Sequence, residues 1–127
     1  MKICFVDNTN FQYDSESINS EKLRGAETVL INITKELNLL GNEITVINNC
    51  ATSRMIENIN WVNINTIKSV DYFDAVIANG DCNLFKYAIS NNNILFSHSL
   101  QSLEKFIRKK QLLSYLKYKP KVCFLSQ

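Results

Sequence analysis

The sequence predicts an α/β domain built on a mainly parallel sheet of about six strands. Three observations lead there. Short runs rich in β-branched or aromatic residues recur along the chain, and helical patterns lie between them. The most apolar runs, at 3–6, 75–78 and 94–96, have no polar face, as strands buried on both sides require. Strands that alternate with helices pair in parallel through right-handed crossovers, which sets the sheet between two helical layers. The expectation is a Rossmann-like three-layer α/β/α domain over residues 1–127. A chain of 127 residues that is 46% hydrophobic can bury one core but not two.

The predicted strands fall, in order, at 2–7 (KICFVD), 43–48 (EITVIN), 60–64 (NWVNI), 74–79 (DAVIAN), 93–97 (NILFS) and 121–125 (KVCFL). The clearest helix spans 26–40. Ala26, Val29, Leu30, Ile33, Leu37 and Leu40 recur at three- and four-residue steps along one face, and Gly41 follows as a C′ stop. A second amphipathic helix is expected over 101–117, with Leu103, Phe106, Ile107, Leu113 and Leu116 as its apolar members and Pro120 closing it. Residues 82–90 fit a shorter helix, while 50–58 and 65–72 fit no single pattern. The many Asn residues fall in strands, helices and loops alike, so they mark a compositional bias and not a disordered tract.

Composition narrows the classes. A formal charge of +2 gives no global electrostatic case for nucleic acid. The opening MKICFVDNTN is too short and wrongly flanked for a signal peptide, and no stretch is long enough to span a bilayer. Cys4, Cys50, Cys82 and Cys123 are scattered, with no C-x-x-C pair and no clustered His, so no metal site is expected and reduced thiols fit a cytoplasmic location.

In parallel sheets ligands bind beyond the carboxyl ends of the strands, where strand order reverses. That rule selects the loops 7–25, 48–50, 79–82 and 97–100. Residues 8–24 are long, polar and without glycine, and the second strand ends in Asn48-Asn49, so the glycine fingerprint and ribose-binding acid of a dinucleotide site are both missing. NAD and FAD are poor fits, and no cofactor is expected. Arg24-Gly25-Ala26-Glu27 instead opens the best helix, where free amides and the dipole favour an anion and Gly25 allows close approach. An isolated Gly at a tight helix entry explains the residue equally well.

These residues resemble a known family. A strand K-I-C-F-V, a long loop, and then G-A-E-T-V-L-I-N-I-T-K-E-L-N-L-L-G-N-E-I-T-V-I over 25–47 is similar to the opening of the retaining GT-B glycosyltransferases of family GT4. The run 74–98, DAVIAN-G followed by ILFSHS, resembles the family's fourth and fifth strands. The family commonly has two glycines before Ala-Glu, and here the first is Arg24, which could block a phosphate or grip it.

The resemblance implies an N-terminal, acceptor-side domain that transfers a sugar from a nucleotide-sugar to a glycan or glycolipid acceptor. It also implies a C-terminal donor domain, absent from this chain, without which the chain should not catalyse. His98, the single histidine, would contact the transferring sugar, against the plainer role of packing or capping the next helix. Asn79, Gly80 and Ser97 join Arg24 and Gly25 as substrate-binding candidates, although Asn-Gly is also an ordinary turn pair. Asp7, Asp14, Glu16 and Glu21 invite comparison with the paired carboxylates of glycosidases, but solvated loop charges are the default.

Lys105, Arg108, Lys109, Lys110, Lys117, Lys119 and Lys121 make the last quarter basic. Such a face can lie peripherally on the inner membrane surface through 105–121, and more often it is solvated or meets another domain. The rival to the transferase is a stand-alone flavodoxin-like binding or regulatory module. Its phospho-receiver form needs an acidic cluster after the first strand and a Lys after the fifth, where this chain has a lone Asp7 and Ser97-His98.

Overall fold

The computed structural model describes residues 1–19, 25–97 and 111–124. They form an α/β fold around a seven-stranded sheet, mostly parallel. In chain order the elements are β1 (Lys2–Val6), a 3-10 turn (Ser15–Asn19), α1 (Gly25–Leu39), β2 (Glu43–Asn48), β3 (Arg54–Ile56), β4 (Ile59–Asn63), a 3-10 turn (Ile64–Thr66), β5 (Ala75–Asn79), a 3-10 turn (Cys82–Tyr87), β6 (Asn93–Ser97), α2 (Leu112–Tyr118) and β7 (Lys121–Phe124). The sheet order is β3-β4-β2-β1-β5-β6-β7, and only β3 runs antiparallel to its neighbour.

β1 is the centre. Its register aligns Phe5 with Val46 of β2 on one side and with Ile77 of β5 on the other. Ile3, Cys4, Phe5 and Val6 are all buried, which explains the unbroken apolar run. Alternation sends Ile3 and Phe5 to one face, where they meet Leu30 and Ile31 of α1 together with Val46, Trp61 and Ile77. Cys4 and Val6 go to the other, against Ile64, Phe73, Leu84 and Phe85 from the connections after β4 and β5.

α1 ends as its sequence demands. Gly41 takes a φ of 96°, its N–H donates to the Asn38 carbonyl at 3.0 Å, and the Asn42 N–H reaches the Leu37 carbonyl at 3.2 Å. This pair of bonds is a Schellman stop. The buried face overlaps the expected one, with Leu30 buried and Ile33 and Leu37 packed on the core, but is shifted at its edges. Glu27, Leu30, Ile31 and Thr34 are buried, whereas Val29 is 37% and Leu40 78% exposed. Thr34 tolerates burial because its hydroxyl donates to the Ile31 carbonyl at 2.8 Å, so the helix is turned toward two polar residues that hydrophobic periodicity assigns to solvent.

Three other expectations change. The seventh strand is β3, which lies in the 50–58 stretch and pairs with β4 through a two-residue turn at Glu57 and Asn58, both left-handed at φ 50° and 67°. The 82–90 helix is a 3-10 turn that stops at Tyr87, because Ala88 is extended and Ile89 bridges Tyr72. Of the 101–117 helix, α2 is the described part, and residues 101–110 lie outside the described residues. Leu113 and Leu116, expected in its apolar face, are 83% and 56% exposed, while Tyr115 and Tyr118 pack on the core.

Replacing Ile31 with Ala should cost about 2–5 kcal/mol, whereas Leu40→Ser should stay within about 0.5 kcal/mol, as compared by urea-unfolding midpoints. Equal losses would show that α1 packs on the face its hydrophobic pattern marks.

Candidate functional site

The chain places β2, β4 and β3 on one side of β1, then returns to place β5, β6 and β7 on the other. Strand order therefore reverses between β1 and β5, and the carboxyl ends of these strands frame the crevice that such sheets use for ligands. α1 leads from the end of β1 to the start of β2, so its first residue, Gly25, belongs to the same edge.

Gly25 is exposed, its φ is not positive, and among the described residues nothing comes within 4 Å of a Cβ built on it. Its backbone conformation does not call for glycine, and the helix entry is not crowded by described side chains. A helix start of this kind favours an anion through its amides.

Asn79 closes β5, half-buried, beside Phe96 of β6. Gly80 follows at φ 75°, a conformation that favours glycine, and its N–H donates to the Phe96 carbonyl at 2.8 Å. Ser97, fully buried, is the next residue of β6, so Asn79, Gly80 and Ser97 meet on one short stretch of the edge. Asp81 caps the following 3-10 turn by accepting from the Asn83 N–H at 2.9 Å. The Cys82 N–H donates to the Gln111 side-chain carbonyl at 3.1 Å, which ties the start of α2 to this edge. Arg24 and His98 lie outside the described residues.

Two acids of the first loop, Asp7 and Asp14, are buried, contrary to the default reading, whereas Glu16 is exposed as that reading has it and Glu21 lies outside the described residues. Asp7 is 2% exposed and accepts from the Thr9 N–H at 3.1 Å, the Thr9 hydroxyl at 3.0 Å and the Tyr13 hydroxyl. Asp14 is buried and accepts from Arg54 at 3.0 Å, with Glu16 bound to the same guanidinium at 2.9 Å. The Tyr13 carbonyl accepts from the Asn48 side chain at 2.8 Å, and Trp61 donates to the Ser15 hydroxyl at 2.9 Å. Residues 8–19 are thus a strap across the ends of β1, β2 and β4, held by polar groups from all three strands and from β3. Burial, reinforced by the neighbouring Asp7 and Glu27 charges, raises the Tyr13 hydroxyl well above its ordinary range, so it remains a donor to Asp7.

The strap residues Asp7, Tyr13, Asn48 and Trp61 were not expected to act together. The available signals were an acid directly after an all-apolar strand, and an Asn ending a strand where apolar residues are the rule. Carboxylates so engaged do not form an open acid/base pair, and the edge offers amides and hydroxyls instead. Among the described residues no group of three or more His, Cys, Asp or Glu could hold a metal ion, and no helix is long and apolar enough to cross a membrane.

Two outcomes follow. Burial pushes the Cys82 thiol from 9.0 to about 12. A raised folded value means that the protonated form is favoured by folding, so its contribution is intact below 9.0 and is lost as pH rises from there toward about 12. Tyr13 acts with the same sign above its ordinary 10.0. Urea titrations across this range should show falling stability, with a shallower slope in Cys82→Ala; a flat profile would contradict the burial of both groups. Gly25→Ala should leave the unfolding midpoint unchanged or raise it by about 0.5–1 kcal/mol, since a helical site gains from Ala. A loss above about 1 kcal/mol would mean that Gly25 serves the fold.

No protein-family model, curated protein or solved structure matches the chain, so the functional reading rests on its own residues.

Proposed function

We propose that the chain is the N-terminal, acceptor-side domain of a retaining GT-B glycosyltransferase, with a Rossmann-like three-layer arrangement, which moves a sugar from a nucleotide-sugar to a glycan or lipid-linked acceptor. The observation that supports this most is that no described atom comes within 4 Å of a Cβ built on Gly25, at the first turn of α1 after the central strand. A glycine whose backbone does not need it, with no described atom within 4 Å of where a Cβ would stand, fits a position kept small for a ligand. The Gly-Ala-Glu resemblance over 25–47 names phosphate and sugar as the ligand chemistry.

In this reading catalysis is positional and electrostatic. The first-turn amides of α1 and Arg24 face the donor diphosphate. His98 meets the reacting sugar, with Asn79, Gly80 and Ser97 lining the neighbouring edge. The nucleotide-sugar is a substrate, no cofactor or metal takes part, and a second β/α domain supplied by sequence beyond this chain carries most of the donor site.

A binding or regulatory module without catalysis is the second reading. The strap favours it, because it closes the ends of β1, β2 and β4 with the chain's own residues. The phospho-receiver form loses ground, since the Asp7 carboxylate is buried and engaged by Thr9 and Tyr13.

The test is sugar transfer or donor hydrolysis by the chain joined to its downstream coding sequence, screened with UDP-, GDP- and ADP-sugars. Turnover should appear with one donor class and fall at least about tenfold in Gly25→Val and in His98→Ala, equivalent to roughly 1.4 kcal/mol of transition-state stabilisation each. Absence of binding to every donor, or full activity in Gly25→Val, would remove the transferase reading.

A further inference from the structure

The connections on the side of the sheet away from α1 leave apolar side chains in water. Val70, Tyr72 and Ile89, from the segments flanking β5, are exposed, as are Leu113 and Leu116 of α2. Three shallow concavities run together beside Val70, Ile89 and Leu113. The first, about 390 Å³, is bordered by Leu113, Lys86 and Lys117. It shares both lysines with the second, about 610 Å³, which reaches Val70, Ile89 and Lys119. The third, about 260 Å³, shares Lys119 and adds Lys121. Among the described residues no Asp or Glu lines any of the three.

Lys86 and Lys117 extend over the rings of Tyr87 and Tyr118, each 5.2 Å from the ring centre, so apolar stems and aromatic faces lie beneath the ammonium groups. This band combines protruding aliphatic side chains with cations among them. A free phosphate would use the lysines but leave Leu113, Leu116 and Ile89 in water. Nucleic acid would call for exposed aromatic platforms, whereas the protruding residues are mainly aliphatic. A bilayer with anionic headgroups satisfies both components, because the aliphatic tips enter the interface while lysines reach phosphate.

We infer that this face docks peripherally on an anionic lipid bilayer, through Leu113, Leu116 and Ile89 with Lys86, Lys117 and Lys119. The expected basic segment 105–121 contributes its described part, and residues 105–110 lie outside the described residues. The surface stands on the side chains of this chain alone and holds whether or not the protein transfers sugar.

Flotation of the chain with phosphatidylcholine vesicles, and with vesicles that also carry phosphatidylglycerol, tests it. Binding is expected to the anionic vesicles alone and to weaken with salt. Neutralising one lysine should weaken it about fivefold, so the Lys86→Gln, Lys117→Gln double variant should bind roughly twenty-five-fold more weakly. The Leu113→Ser, Leu116→Ser variant should lose roughly tenfold. All four positions are exposed, so thermal unfolding of the variants should match the parent. No binding to anionic vesicles, equal binding to neutral ones, variants that bind like the parent, or displacement by inorganic pyrophosphate at matched ionic strength would each overturn the inference. A failure here leaves donor turnover unaffected, and a failure of turnover leaves vesicle binding unaffected.

Discussion

A carboxylate at the end of the central strand governs how the first loop is built. Asp7 emerges from β1 into a region from which water is nearly excluded, where an unpaired charge would cost several kcal/mol, on the order given for buried ions. It is satisfied by an amide and a hydroxyl from Thr9 and by the phenol of Tyr13. Each bond fixes the chain that supplies it. With Tyr13 fixed, its ring meets Trp61 edge-on at 5.9 Å, and its carbonyl takes the Asn48 amide. Trp61 in turn holds Ser15, and Arg54 holds Asp14. The described part of a polar loop without glycine thereby acquires one shape, and that shape covers the ends of β1, β2 and β4.

The division of that edge links fold to function. Over β1, β2 and β4 the strap occupies the space that a ligand would take. Toward β5 and β6, the edge carries Asn79, Gly80 and Ser97, which supply amides and a hydroxyl with little ionisable chemistry. Such groups suit a neutral polyol or a phosphate better than a reaction that needs a paired acid and base. Transfer of a sugar by orientation and charge stabilisation is compatible with this chemistry, and the proposed partner domain would bring the rest of the donor site.

Much of the framework was legible because strands buried on both faces announce themselves. KICFV, AVIAN and NILFS are almost uniformly apolar, and each is a strand of the parallel sheet. The stretch RMI gave no such signal, since Arg54 and Met55 are exposed and only the left-handed pair Glu57-Asn58 makes the hairpin. α1 was visible in extent and, through Leu30, Ile33 and Leu37, in part of its buried face, but not in the burial of Glu27 and Thr34, polar residues that the interior accepts. The common edge of Asn79, Gly80 and Ser97 followed from topology. The burial of Asp7 and Asp14 did not, since Asp14 finds Arg54 forty positions away in the chain and no local pattern encodes that meeting.

The position of β1 also shapes how this chain comes into being. Its left-hand neighbour, β2, is synthesised soon after it, but its right-hand neighbour, β5, begins at Ala75. Until then one row of β1 amides and carbonyls has no ladder partner, and the apolar side chains beside it lack half of their cover. A nascent chain paused on the ribosome before β5 therefore holds its most aggregation-prone segment at an open sheet edge. Pairing with β5 closes that edge, and the two halves of the sheet then share one strand.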